Sequence, residues 1–190
     1  MPFDFSASIR AICVDMATRL PELAHVDMHG VGVGFKQARR RVPHGLQASL
    51  TPLRFEDGAI TERRGRRTVG CPQVLDESGR PLLYLLNFYL PRFLDHPLEE
   101  KLVTIVHELW HISPRMDGDL RRHAGRCYAH GARQSDYDEH AARLARDWLA
   151  SSPPAGVYEW LEATFDELAA THGGVVGKRY RAPKLTVLAA

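Results

Sequence analysis

The stretch His107-Glu108-Leu109-Trp110-His111 constrains this chain more than any other. It lies in a run where Leu98, Leu102, Ile105, Val106 and Leu109 recur at helical spacing, which predicts an amphipathic helix. Pro97 suits a first helical turn, with Asp95 or His96 as a cap. Pro114 disfavours helical geometry at Ser113, so the helix should stop just after His111. On such a helix, positions i and i+4 lie one above the other, and the next residue sits about 100° round the axis. His107 and His111 therefore present two imidazoles to one point, with Glu108 beside them. That spacing suits a zinc ion held by two nitrogens, with a carboxylate close enough to touch the metal's water without ligating the metal. Zinc acidifies such water toward a pKa of ~7, and Glu108 would take its proton as general base and hand it on as acid. A shuffle of the same composition gives H-E-x-x-H roughly 0.03 times, so the bare pattern gains its weight from the helical context.

A chain of 190 residues with 44% hydrophobic content suits one packed domain. Its core is expected over about 6–150, with a C-terminal helix and basic tail over 151–190. A net charge of +2 is nearly balanced and excludes a molecule built throughout as a polyanion binder. Cys13, Cys71 and Cys127 form no C-x-x-C pair, which points to reduced thiols and a cytoplasmic protein. No signal-peptide pattern is present, and no apolar run reaches ~18 residues, so no membrane span is expected. A secreted digestive enzyme is thereby disfavoured.

Residues 6–20 read as a helix capped by Ser6, with Ile9, Ile12, Cys13, Met16 and Leu20 as its apolar stripe. Residues 26–38 alternate as a strand, and the Gly30-x-Gly32-x-Gly34 run inside it lacks the strand-turn-helix setting of a phosphate loop. Residues 45–55 read as its partner strand, with Pro52 marking an edge or bulge. Residues 81–90 are the most apolar stretch and should form the most buried strand, feeding almost directly into the helix of the motif. Further helices are expected over 136–150, with Tyr137, Ala141, Leu144, Ala145, Trp148 and Leu149 inward, and over 157–170. The tail from Val175 onward suggests a short strand. Two basic clusters, Arg39-Arg40-Arg41 and Arg63-Arg64-Gly65-Arg66-Arg67, read as solvated loops or as a surface for an anionic partner, nucleic acid or acidic peptide.

A catalytic zinc takes three protein ligands and keeps one position open. Downstream of His111 the candidates are Asp117, His123, His130 and Glu139. Asp117 and Asp119 could orient a ligating histidine through its second ring nitrogen, or form a plain turn. Tyr128 and Tyr137 are candidate oxyanion donors.

The H-E-x-x-H helix that stops beside its metal pair resembles the active-site helix of zincin metallopeptidases. The stretch His-Glu-Leu-Trp-His-Ile-Ser-Pro, with the later Asp-Gly-Asp-Leu-Arg-Arg, is also similar to uncharacterised metallopeptidase-like proteins of bacteria and phages. The resemblance covers about 97–150. It implies an α+β zincin-like fold, with a small mixed or antiparallel sheet packed on an N-terminal helix and the H-E-x-x-H helix. It also implies hydrolysis of peptide bonds with Zn2+, and a substrate held as an added strand on a sheet edge. A metzincin pattern would need Gly at 114 and His at 117, where this chain has Pro114 and Asp117. A gluzincin-type ligand would fall to Glu139. His130-Gly131 resembles the His-Gly element of SprT-like metalloproteases, which makes His130 the favoured third ligand beside His107 and His111. The zinc ribbon often found after SprT-like domains is missing, since no cysteine follows Cys127. Two other readings stand beside this one. One is a different zinc amide hydrolase, such as a deformylase-like enzyme using Cys71. The other is a nucleic-acid or partner-binding module with a non-catalytic metal.

Overall fold

A computed structural model of the chain describes residues 1–122 and 134–189. Strand β1 (Phe3–Asp4) leads at once into helix α1 (Phe5–Arg19), which buries Phe5, Ile9, Ile12, Cys13 and Met16. The helix starts one turn position earlier than its apolar stripe suggests. Asp4 rather than Ser6 is the cap, accepting from the Ala7 N–H at 3.0 Å. Ser6 is buried, and its Oγ accepts the Lys178 N–H instead.

Strands β2 (Val31–Gln37), β3 (Ala48–Pro52), β4 (Thr61–Arg64), β5 (Arg67–Gly70) and β6 (Tyr84–Leu90) follow. The expected pairing of the first two does not occur. Both join β6, in the order β2-β6-β3. β2 runs parallel to β6, with Val31 opposite Tyr84, and β3 runs antiparallel, with Ala48 opposite Phe88. The reason is burial: β6 is apolar on both faces, and only the centre of a sheet covers both. Pro52 cannot donate to a ladder, which suits β3 to the edge. The register fixes which groups of that edge are open. Tyr89 N–H donates to Gln47 and Leu53 N–H to Leu83, so the odd-numbered residues bond β6. Ala48, Leu50 and Pro52 therefore turn their backbone groups outward.

The glycines of β2 serve close packing. A Cβ at Gly34 would stand 2.9 Å from the Tyr180 ring and 3.0 Å from the Lys178 carbonyl oxygen, which accepts the Phe35 N–H. Tyr180 packs with Leu53, Leu82 and Leu85 on one side of the sheet. The main core lies on the other side, where Tyr84, Leu86 and Phe88 meet the helices.

Those helices are α1, α2 (Leu98–Trp110) and α3 (Gln134–Ala150). Tyr137, Ala141, Leu144, Ala145 and Trp148 of α3 are buried as the periodicity predicts, and Leu149 is half-buried. The single helix expected over 157–170 is broken. α4 (Ala155–Tyr158) passes into a 3-10 turn, Glu159–Glu162, and α5 (Phe165–His172) starts afresh. Thr164 and Glu167 form a capping box that opens α5. The carbonyls freed at the break are taken by Lys101 of α2, whose Nζ donates to Leu161 at 2.6 Å and Ala163 at 3.0 Å. The tail then adds β7 (Val175–Val176) beside β1 and β8 (Thr186–Ala189) beside β5. The fold is α+β, and no helix among the described residues is long and apolar enough to cross a membrane.

Candidate metal centre

α2 buries Leu102, Ile105, Val106 and Leu109 and ends at Trp110, with His111 as its C-cap. No side chain caps its start, where Pro97 stands; His96 instead pairs with Glu100 at 2.7 Å. The chain beyond the helix folds straight back. Ile112 bridges Leu120, and the Arg121 N–H donates to the His111 carbonyl at 2.7 Å. The Arg121 guanidinium donates to the Trp110 carbonyl at 2.8 Å and lies 3.7 Å from the Trp110 ring. A cation on the last carbonyls favours the helix terminus and fixes where His111 stands.

The two imidazoles converge. His107 Nε2 and His111 Nε2 are 3.2 Å apart. Two nitrogens each ~2.0–2.1 Å from a tetrahedral zinc stand about 3.3 Å apart, a separation close to that of this pair. His107 Nδ1 faces Asp138 Oδ1 at 3.4 Å, which leaves Nε2 as the nitrogen it presents. Tyr137 packs against both rings, with centroids 4.7 Å from His107 and 5.0 Å from His111, and its hydroxyl donates to the His107 carbonyl at 3.3 Å. Burial pushes that phenol far above its ordinary pKa, so Tyr137 keeps its proton.

Glu108 points the other way round the helix, into the seam between α2 and β3, and only 8% of it is exposed. Burial raises its carboxyl from 4.5 to about 7, against a hydrogen bond from the Leu50 backbone that favours the charged form. Leu50 is one of the residues that turn outward on the edge of β3, where no strand among the described residues pairs. The general-base candidate thus follows His107 in the helix and lies against the outer edge of β3.

The remaining sequence candidates divide. His123, Tyr128 and His130 lie outside the described residues. Among the described residues no group of three or more His, Cys, Asp or Glu is placed to hold a metal ion. Glu139 is exposed on α3, and Asp117 is ion-paired with Arg115 at 3.0 Å. Asp119 is buried and holds Arg122 at 2.8 Å. Among the described residues neither aspartate is paired with a histidine ring, whereas Asp138 faces His107 Nδ1. The sequence carried a hint of this, because Asp138 follows Tyr137, already placed on the inward face of its helix. Cys71 lies in a separate cleft with Arg54 and Glu62, and burial raises its thiol pKa. His140 packs its ring 4.4 Å from Trp110. Of the basic clusters, Arg41 is committed to Asp95 and Asp166, while Arg39, Arg40, Arg63, Arg66 and Arg67 are exposed.

No family model, curated protein or solved structure matches the chain.

Proposed function

We propose that the chain is a zincin-like, zinc-dependent metallopeptidase of the cytoplasm, akin in plan to SprT-like enzymes. The observation that carries this reading is the 3.2 Å convergence of His107 and His111 Nε2 beside the buried Glu108. His107 and His111 supply two metal ligands, and His130 is the proposed third, with His123 its closest rival. A zinc ion held by these residues would polarise a carbonyl and acidify water. Glu108 accepts the proton of the attacking water and delivers it to the leaving amine. Asp138 holds His107 in the tautomer that presents Nε2. Tyr137 walls the pair from α3 and keeps both rings in place.

The outer edge of β3, which no strand among the described residues covers, favours a peptide over other amides. Ala48 offers an N–H and a carbonyl, and Leu50 and Pro52 offer carbonyls, to an extended backbone laid alongside. Such a strand passes Glu108 at Leu50.

The test is metal content of the purified full chain, wild type beside His111→Ala, His123→Ala and His130→Ala. About one zinc in wild type, lost in His111→Ala and in one loop variant, is expected. Glu108→Gln should keep the zinc and lose cleavage of an unfolded protein substrate. Absence of stoichiometric metal after zinc reconstitution refutes the reading.

A further inference from the structure

We propose that the cleft at the Pro52 end of β3 is a side-chain subsite that selects an acidic residue in the bound peptide, with Arg54 as its anchor. This rests on the peptidase reading and adds to it a substrate class.

The cleft has a volume of about 320 Å³ and lies between the end of β3, the β4-β5-β8 sheet and the Asp119-Leu120 turn behind the metal helix. A strand added to β3 points alternate side chains to opposite faces of the sheet. On β3 itself, Leu50 packs on the α2 side, and Leu53, just beyond it, joins the cluster on the other side. An added peptide would likewise send one set of side chains toward α2 and the histidines. The other set would face the side on which Thr51 and Leu53 line the cleft.

The open edge ends where the cleft begins. The Arg54 N–H, next in the outward series after Pro52, is already taken by the Gly118 carbonyl at 3.1 Å. From Leu50 to Arg54 is four residues, about 13 Å of strand. The side chain entering the cleft therefore belongs to a residue two to four positions from the bond beside Glu108.

Charge in the cleft is uneven. Its three carboxylates are all engaged: Glu62 by Arg64 at 2.5 Å, and Asp119 and Glu56 by Arg122 at 2.8 Å and 3.6 Å. Arg54 has no carboxylate partner among the described residues. Among the described residues its guanidinium donates to the carbonyl of Leu53, at 2.6 Å. Its stem is held against Gly118, where an added Cβ would stand 2.5 Å from Arg54 Cγ. A positioned guanidinium without a counter-ion, at the mouth of a cleft floored by Leu53 and Leu120, fits the carboxylate of Asp or Glu.

The experiment uses the zinc-loaded full chain and a degenerate peptide library, with products sequenced by mass spectrometry. Peptides differing only by Glu or Gln at the selected position then give a ratio of cleavage rates. Wild type should favour Glu by about tenfold. Arg54→Gln keeps the Cβ and Cγ that pack on Gly118 and should bring the ratio within about twofold, while Arg54→Lys, which keeps the charge but not the fork, should retain only part of the preference. Zinc content and thermal midpoint are measured on each variant. No cleavage by wild type overturns the peptidase reading and the subsite together. Cleavage without acidic preference overturns the subsite alone, as does a preference that survives Arg54→Gln in a folded, zinc-replete variant.

Discussion

Replacing Lys101 by methionine tests what holds α2 against the C-terminal segment. Lys101 is 1% exposed, and its Nζ donates to the Leu161 and Ala163 carbonyls. Burial pushes its ammonium pKa down from 10.5 to about 8, with Asp95 and Glu167 pulling the other way. The sign follows from linkage. Between those two values the unfolded chain binds more protons than the fold, so stability rises with pH across that window. The whole gap is worth about 3 kcal/mol, of which about 2 kcal/mol appears between pH 7 and pH 9.5. Methionine removes the charge but leaves two buried carbonyls without a donor, at about 1–3 kcal/mol each. At pH 7 these effects nearly cancel, and Lys101→Met should destabilise by only about 1 kcal/mol. At pH 9.5 the deficit should reach about 3 kcal/mol, because wild type has gained what the variant cannot. Urea unfolding followed by tryptophan fluorescence at both pH values reads the difference. A deficit that is the same at both would refute the burial of a charged Lys101.

Saturating wild type with zinc at about 100 times its Kd should stabilise it by about 2.7 kcal/mol and raise its melting midpoint by roughly 5–10 °C. The same addition should leave His111→Ala unmoved in a thermal scan. Asp138→Asn should keep one zinc but bind it 10–100-fold more weakly in competition with a chelating dye, at about the usual effect of losing a carboxylate behind a ligating histidine. An unchanged affinity would deny Asp138 that role. Gly34→Ala should cost about 1–3 kcal/mol, since its methyl has to displace either the Tyr180 ring or the Lys178 backbone. Chemical denaturation measures it, and a neutral result would mean that the tail does not lie on β2.

Much of this was legible in the sequence, and the parts that were not share a cause. Periodicity names the face a residue presents, and it did so for α1, α2 and α3. Pro114 marked where α2 stops. Neither signal names a neighbour across space. The 26–38 and 45–55 stretches looked like partners because they are consecutive, yet the doubly apolar β6 takes the place between them. The break in 157–170 is a different case. The Thr164-x-x-Glu167 box was present in the text, and the apolar spacing that runs across it masked a new helix start. Asp138 was overlooked because its function depends on how α3 packs against α2, a long-range fact.

The placement of Glu108 against Leu50 follows from element lengths combined with the register that only the fold reveals. β6 ends at Leu90 and α2 begins at Leu98, a connection short enough to force the helix back along the sheet. Ten residues of helix, from Leu98 to Glu108, advance about 15 Å. Four residues of strand, from Leu90 back to Leu86, cover about 13 Å. Glu108 therefore comes level with Leu86, and the antiparallel register places Leu50 opposite Leu86. The spacing between a buried strand and a histidine motif thus decides which part of the sheet edge meets the site. It sets the general-base candidate at the middle of β3.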